Sequence, residues 1–219
     1  MCIALKERNI NKVLTLYTVQ ISVPPTVAPG EEIPLKVTMG SNRVGHDSPT
    51  GPLDIIQSWI EITVTDDLGR AVFASGKRDA KNFIQPGTFL FKAEPVDQQG
   101  NLIDRHNLWE MVGVRYRRAL FPGYPDQVQF QIPCSGALAH DSTNAPAPRG
   151  DTFDVPAPAV PALDAPGEYR ISVALNYRKV DQFLLNFLFG ETNQLTSPVT
   201  EIARASAVVK VQPKKRAAL

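Results

Sequence analysis

Residues 167–179 read GEYRISVALNYRK. Ile171, Val173, Leu175 and Tyr177 fall on every second position, while Arg170, Ser172 and Asn176 fall between them. Side chains alternate across a strand, so this period of two predicts a β-strand with one buried face. The same period recurs on both sides of it. KVLTLYTVQISV (12–23) is rich in Val, Leu, Ile, Thr and Tyr, and Pro24, Pro25, Pro29 and Gly30 end it. In EIPLKVTMGS (32–41), Ile33, Leu35, Val37 and Met39 share a face, and Pro34 places the first part at an edge or a strand start.

Further along, Trp59, Ile60, Ile62 and Val64 form a strand, Asp66 to Gly69 a hairpin turn, and Ala71 to Ala74 the return. Phe89 and Phe91 alternate ahead of a second turn at Asp97 to Gly100. GVRYRRALFPG and DQVQFQIP read as two strands joined by Pro122 to Pro125, and a closing strand centres on Ala207 to Val211. Eight or nine short strands with Gly and Pro turns predict an all-β chain, an immunoglobulin-like β-sandwich with long loops. The expected core holds Trp59, Ile62, Val64, Phe89, Phe91, Val173, Leu175 and Tyr177.

One segment departs from period two. In VDQFLLNFLFG (180–190), Val180, Phe183, Leu184, Phe187 and Leu188 lie at i, i+3, i+4, i+7 and i+8. That is one stripe of a short amphipathic helix near the C-terminus, with Asp181 at its start and Gly190 at its end. The stripe is expected either to close the sandwich or to meet a partner. Residues 134–167 are dense in Pro and Ala and read as an extended excursion. The organisation is thus an extension at 1–11, one sandwich domain at 12–212, and a basic tail at 213–219.

Composition narrows the function. With 23 Lys and Arg against 22 Asp and Glu, the basic excess of a nucleic-acid binder is missing. No apolar run reaches the ~18 residues of a membrane helix, so no span is expected. Lys6, Glu7 and Arg8 interrupt the apolar N-terminal stretch, and no export signal is legible there. Cys2 and Cys134 are too few for a disulfide framework. Cys-x-x-Cys-His is missing from the sequence, so no haem is expected to be held covalently. Neither Gly-x-Ser-x-Gly nor a phosphate-cradling glycine loop occurs, and Asp66-Asp67 sits where turn chemistry wants aspartate. The chain is not expected to be an enzyme.

Three histidines, His46, His106 and His140, stand in three different loops. His46 lies in NRVGHDSPTGPLD (42–54), among glycines and prolines, and two readings are open: a surface residue that bonds the loop's own backbone, or a ligand. DRHNLWEM (104–111) places His106, Asn107 and Trp109 together. Two readings are open: Trp109 anchors the loop in the core while Asn107 bonds backbone, or the loop is a contact surface for a partner. NYRKVDQ (176–182) is open in the same way, as a strand-to-helix junction or as a basic docking spot built on Arg178.

NRVGHDSPTGPLD, SWIEITVTDDLGRAVFASG, DRHNLWE, YRRALFPGYPDQVQF and LNYRKVDQFLLNFLFG follow one another over roughly residues 12 to 210. In that order they resemble the non-haem, β-rich region that follows the haem-bearing part of certain bacterial multihaem c-type cytochromes. The Val-Gly-His-x-x-Pro-Thr-Gly loop is the most specific element. The resemblance implies that His46 is an axial ligand to a haem iron. A ligating ring needs its other nitrogen oriented by a carbonyl or carboxylate, and Asp47 or Asp54 is placed to supply that contact. Because the chain has no haem attachment motif, that iron would be a haem c of another polypeptide. The implied function is a non-catalytic accessory of an electron-transfer system, docked on a multihaem cytochrome or its haem domain. On the contact-surface reading of the two loops above, the partner surface comprises His106, Asn107, Trp109 and Arg178, and the resemblance implies a periplasmic or extracytoplasmic compartment. The alternative is a purely structural β-sandwich that binds other proteins without a redox role.

Overall fold

The computed structural model describes residues 16–52, 54–132, 152–153 and 167–212. Cys2, Cys134, His140, the extension at 1–11, the basic tail and, apart from 152, 153 and 167, the Pro/Ala excursion lie outside them. Two sheets carry the core. In the first, β1 (Tyr17–Ser22) pairs with β3 (Ile33–Ser41), β3 with β9 (Pro125–Ile132), and β9 with β10 (Thr152–Phe153). In the second the order is β2 (Thr26–Val27), β12 (Thr200–Val211), β11 (Gly167–Arg178), β4 (Gln57–Thr65), β5 (Ala71–Ser75). A two-residue strand, β6 (Leu90–Phe91), also pairs with β4. Outside the sandwich, β7 (Ala93–Val96) and β8 (Gly113–Arg117) form a separate ribbon. The one α-helix among the described residues, α1, spans Gln182–Phe189.

The strand read first from the sequence, β11, is the spine of its sheet. It pairs antiparallel with β12 on one side and β4 on the other, setting Val173 opposite Ala205 and Ile62. Its odd positions, Tyr169, Ile171, Val173 and Leu175, point inward with Ile60, Ile62 and Val64 of β4 and Val209 and Val211 of β12. Ile33, Leu35, Val37 and Met39 of β3 join Val128, Phe130 and Ile132 of β9 in the same core. The alternation is therefore realised on both sheets, and the all-β sandwich stands. Each such side chain contributes about 1.5–3 kcal/mol by leaving water.

Several expectations need correction. Tyr177 is half-buried and only packs against the core. Trp59 is buried, but on the opposite face of β4 from Ile60 and Ile62. There its indole nitrogen donates to the Gly76 carbonyl at 3.0 Å. The closing strand is longer than the apolar run suggested, because Thr200 to Arg204 follow β11 through a register shift at Leu175/Asn176. Backbone pairing extends the strand where the side chains give no pattern. Within the Pro/Ala excursion, Thr152 and Phe153 pair in parallel with Gln129 and Phe130. Two residues are too short to carry a periodic signal.

The helix begins and ends as read. Asp181 caps it by accepting from the Leu184 amide at 2.8 Å, and Gly190, at φ 80, sends its amide to Asn186. Its stripe does not close the sandwich. Only Leu184 of the five is buried, in a small cluster with Ile55 and Ile56, while Phe183, Phe187, Leu188 and the adjoining Phe189 stay exposed. The helix is held by polar contacts instead. Gln182 Oε1 accepts from the Asn82 side-chain amide at 2.7 Å and from the Ser197 backbone amide at 3.0 Å, and Gln182 Nε2 donates to the Leu195 carbonyl.

Candidate functional site

The loop at 42–54 is clamped at two points by one segment. Ser48 and Leu120 exchange both backbone hydrogen bonds, at 2.8 and 2.7 Å, and the Gly123 amide donates to the Ser41 carbonyl. The Asp47 carboxylate pairs with Arg117, and the Ser48 hydroxyl meets the Tyr17 hydroxyl at 2.5 Å. Pro49 and Pro52 restrict φ within the same stretch. The backbone around His46 is thereby fixed, while its side chain is exposed. Phe121 and Tyr124, also exposed, belong to the clamping segment.

His46 Nδ1 lies 2.8 Å from the carbonyl oxygen of Asp47. A carbonyl can only accept, so Nδ1 carries the proton and the lone pair of the neutral ring sits on Nε2. The orienting group is thus the Asp47 backbone, since the Asp47 carboxylate is taken by Arg117. An imidazole with one nitrogen anchored and the other free is the form in which histidine ligates a metal. Beside the loop, Pro49, Pro52, Ile56, Lys92, Arg117 and Arg118 line a cleft of about 10 Å³, room for about one water. A cleft of this size is too small to enclose a haem.

Asp54, the other candidate to orient His46, orients His106. Its carboxylate oxygens lie 3.1 and 3.3 Å from His106 Nδ1. The Asp54 side chain is 0% exposed and that of His106 is 48% exposed. His106 takes φ 62, a left-handed conformation uncommon outside glycine.

The DRHNLWEM loop is not anchored by its tryptophan. Trp109 is 81% exposed, in a 3-10 turn that buries nothing. Asn107 bonds the Glu110 carboxylate at 2.6 Å, not backbone. Met111 and Val112 are exposed beside it. Arg105 lies 5.0 Å over the Phe187 ring, linking this loop to the exposed face of α1.

Arg178 is corrected from docking spot to internal strut. It is 2% exposed, donates to Gln57 Oε1 at 2.7 Å and to the Asn82 carbonyl at 2.8 Å, and stacks over Trp59. Burial pulls its pKa down to about 10, against the opposing pull of Asp181, so it stays charged at neutral pH. Burial pushes Asp181 up, and the Leu184 amide and Arg178 pull the other way. Of the sequence-derived set, the structure links His106, Asn107 and Trp109 in one exposed loop and ties His46 and His106 to a single stretch, 42–54. Among the described residues no group of three or more His, Cys, Asp and Glu is placed to hold a metal ion by itself. No helix among them is long and apolar enough to cross a membrane.

No family model and no curated protein matches the chain. Among solved structures, a penta-heme cytochrome c552 from Thermochromatium tepidum is similar to it, with a TM-score of 0.56 and 15% sequence identity. The match covers 92% of this chain and 40% of that one. The chain shares the fold of part of a multihaem cytochrome. At this identity the likeness is one of fold, and the chain spans about 40% of the cytochrome's length.

The His106–Asp54 pair and the clamp around His46 were not legible in the sequence. Asp54 is 52 positions from His106, and only the fold brings them together. The available signal was that 42–54 carries acidic residues at positions 47 and 54.

Proposed function

We propose that the chain is a non-catalytic accessory of a multihaem cytochrome electron-transfer system, working outside the cytoplasm. It docks on a haem-bearing polypeptide and offers His46 to a haem iron. The observation that carries this reading is the state of His46: exposed, with Nδ1 fixed by the Asp47 carbonyl and Nε2 free. The fold shared with part of a penta-heme cytochrome supports the partner class. A bound haem would supply the redox chemistry. The chain's own part is to hold the imidazole, keep its proton on Nδ1 and set its angle through the clamped loop.

The reading is tested with a ferric haem peptide that keeps one histidine ligand and an open sixth position. Addition of the chain at pH 7 is expected to move the Soret band to the low-spin, six-coordinate form. His46→Ala is expected to remove one equivalent of this binding. An unchanged titration would reject His46 as a ligand.

A second reading, a structural interaction module with no redox role, is favoured by a different observation. Trp109, Met111, Val112, Phe187 and Leu188 are exposed on two segments linked by Arg105. Exposed apolar surface of this kind marks contact with another protein. Under that reading Trp109→Ala weakens association with a multihaem cytochrome, while His46→Ala leaves both association and spectrum unchanged.

A further inference from the structure

The Asp54–His106 pair is unexplained by a role for His46 alone. A carboxylate 0% exposed sits in a low-dielectric environment and carries a desolvation cost. His106 offsets it by presenting Nδ1 to both oxygens. His106 itself sits at φ 62, in the left-handed region that few residues other than glycine adopt. The carboxylate fixes the tautomer, because an ionised acceptor requires the proton on Nδ1. It also fixes the ring plane, as carboxylates behind metal-bound histidines do. The His106 side chain is 48% exposed. Asp54 closes the stretch that carries His46, so one segment, 42–54, sets the orientation of both imidazoles.

We infer that His106 is a second imidazole ligand for a haem iron of the docked cytochrome, with Asp54 as its positioning residue. The inference rests on the proposed haem-bearing partner, since a multihaem partner has more than one iron to offer. Ligation makes one bond, from the Nε2 lone pair to iron, and moves no electron. If the ring is protonated at Nε2, that proton leaves to solvent first.

The test uses the full chain carrying His140→Ala, so that His46 and His106 are its remaining imidazoles, titrated with the same ferric haem peptide at pH 7. Two equivalents of low-spin haem are expected. His106→Asn keeps a residue that tolerates positive φ and is expected to remove one equivalent while His46 still binds. Asp54→Asn is expected to weaken that same equivalent about 10- to 100-fold, the usual effect of removing the group behind a ligating histidine. Because Asp54→Asn alters a buried group, the unsubstituted chain supplies a separate readout. At pH 8 the ¹⁵N shifts of His106 are expected to show Nδ1 protonated and Nε2 bare. Binding unchanged in His106→Asn, or a proton on Nε2, overturns the inference. So does binding unchanged in Asp54→Asn, which would make His106 an ordinary surface histidine. Loss of one equivalent in His46→Ala but none in His106→Asn overturns this inference and leaves the proposed function standing. The reverse pattern rejects the ligand role of His46 and retains His106.

Discussion

Three aspartates build three turns by one mechanism. In each of Asp66–Arg70, Asp79–Phe83 and Asp97–Asn101, the carboxylate accepts from the amides two and four residues on. The fourth residue, Gly69, Asn82 or Gly100, takes positive φ. Glycine and asparagine are the residues that reach this region most cheaply. At Asp97 the Asn101 side-chain amide, with backbone amides behind it, holds the carboxyl below the usual carboxylate range. A depressed folded pKa means stability present above the unfolded value and lost as pH falls through the folded one. Asp97→Asn is therefore expected to flatten the loss of stability between about pH 5 and pH 2, read by urea midpoints at each pH. Gly76 is constrained more tightly. It sits at φ 75, and a Cβ there would lie 2.1 Å from the Ile60 carbonyl oxygen. Gly76→Ala should cost about 3 kcal/mol or more, because the conformational cost alone is about 1–3 kcal/mol and the Trp59 partner must also move.

At the scale of the element, α1 shows how a helix can be positioned by its polar residues. Its eight residues are too few to be stable on propensity alone. The Asp181 cap and the Gln182 contacts supply the rest. Three substitutions separate the contributions, measured as unfolding free energies. Asp181→Ala should cost about 1 kcal/mol as a lost cap. Leu184→Ala should cost about 2–3 kcal/mol, at the low end for buried leucine because its cluster is small. Phe187→Ala, 52% exposed, should change stability by no more than about 0.5 kcal/mol. A large cost at Phe187 would show that the stripe is covered.

For the molecule as a whole, stability rests between the two sheets. Phe130, 1% exposed at the centre of the core, should cost about 3–5 kcal/mol on truncation to alanine. The exposed segments lie elsewhere, on the 42–54 loop, the 104–112 loop and α1. Stability and binding should therefore separate. Trp109→Ala, at 81% exposure, should leave the urea midpoint unchanged whichever partner it meets.

What depends on neighbours along the chain is readable from the residues in order. Period two set the faces of β3, β4 and β11, because strand side chains alternate wherever the strand is placed. Aspartate and glycine set the turns at 66–69 and 97–100, and Asp181 and Gly190 set the ends of α1, because each acts on its own backbone. Tertiary structure alone decided which faces meet. Trp59 reads as core by composition, yet its register puts it behind the sheet, under Gly76 and Arg178. The helical stripe reads as core by period, yet only Leu184 finds a surface to cover. Arg178 reads as a surface cation, yet the fold closes Asn82 and Gln57 around it. The two histidines differ for the same reason. His46 takes its orienting contact from the next residue, while His106 takes it from Asp54, 52 positions away. A local pattern fixes what a residue can bury or bind, and a long-range contact fixes whether a partner is there to meet it.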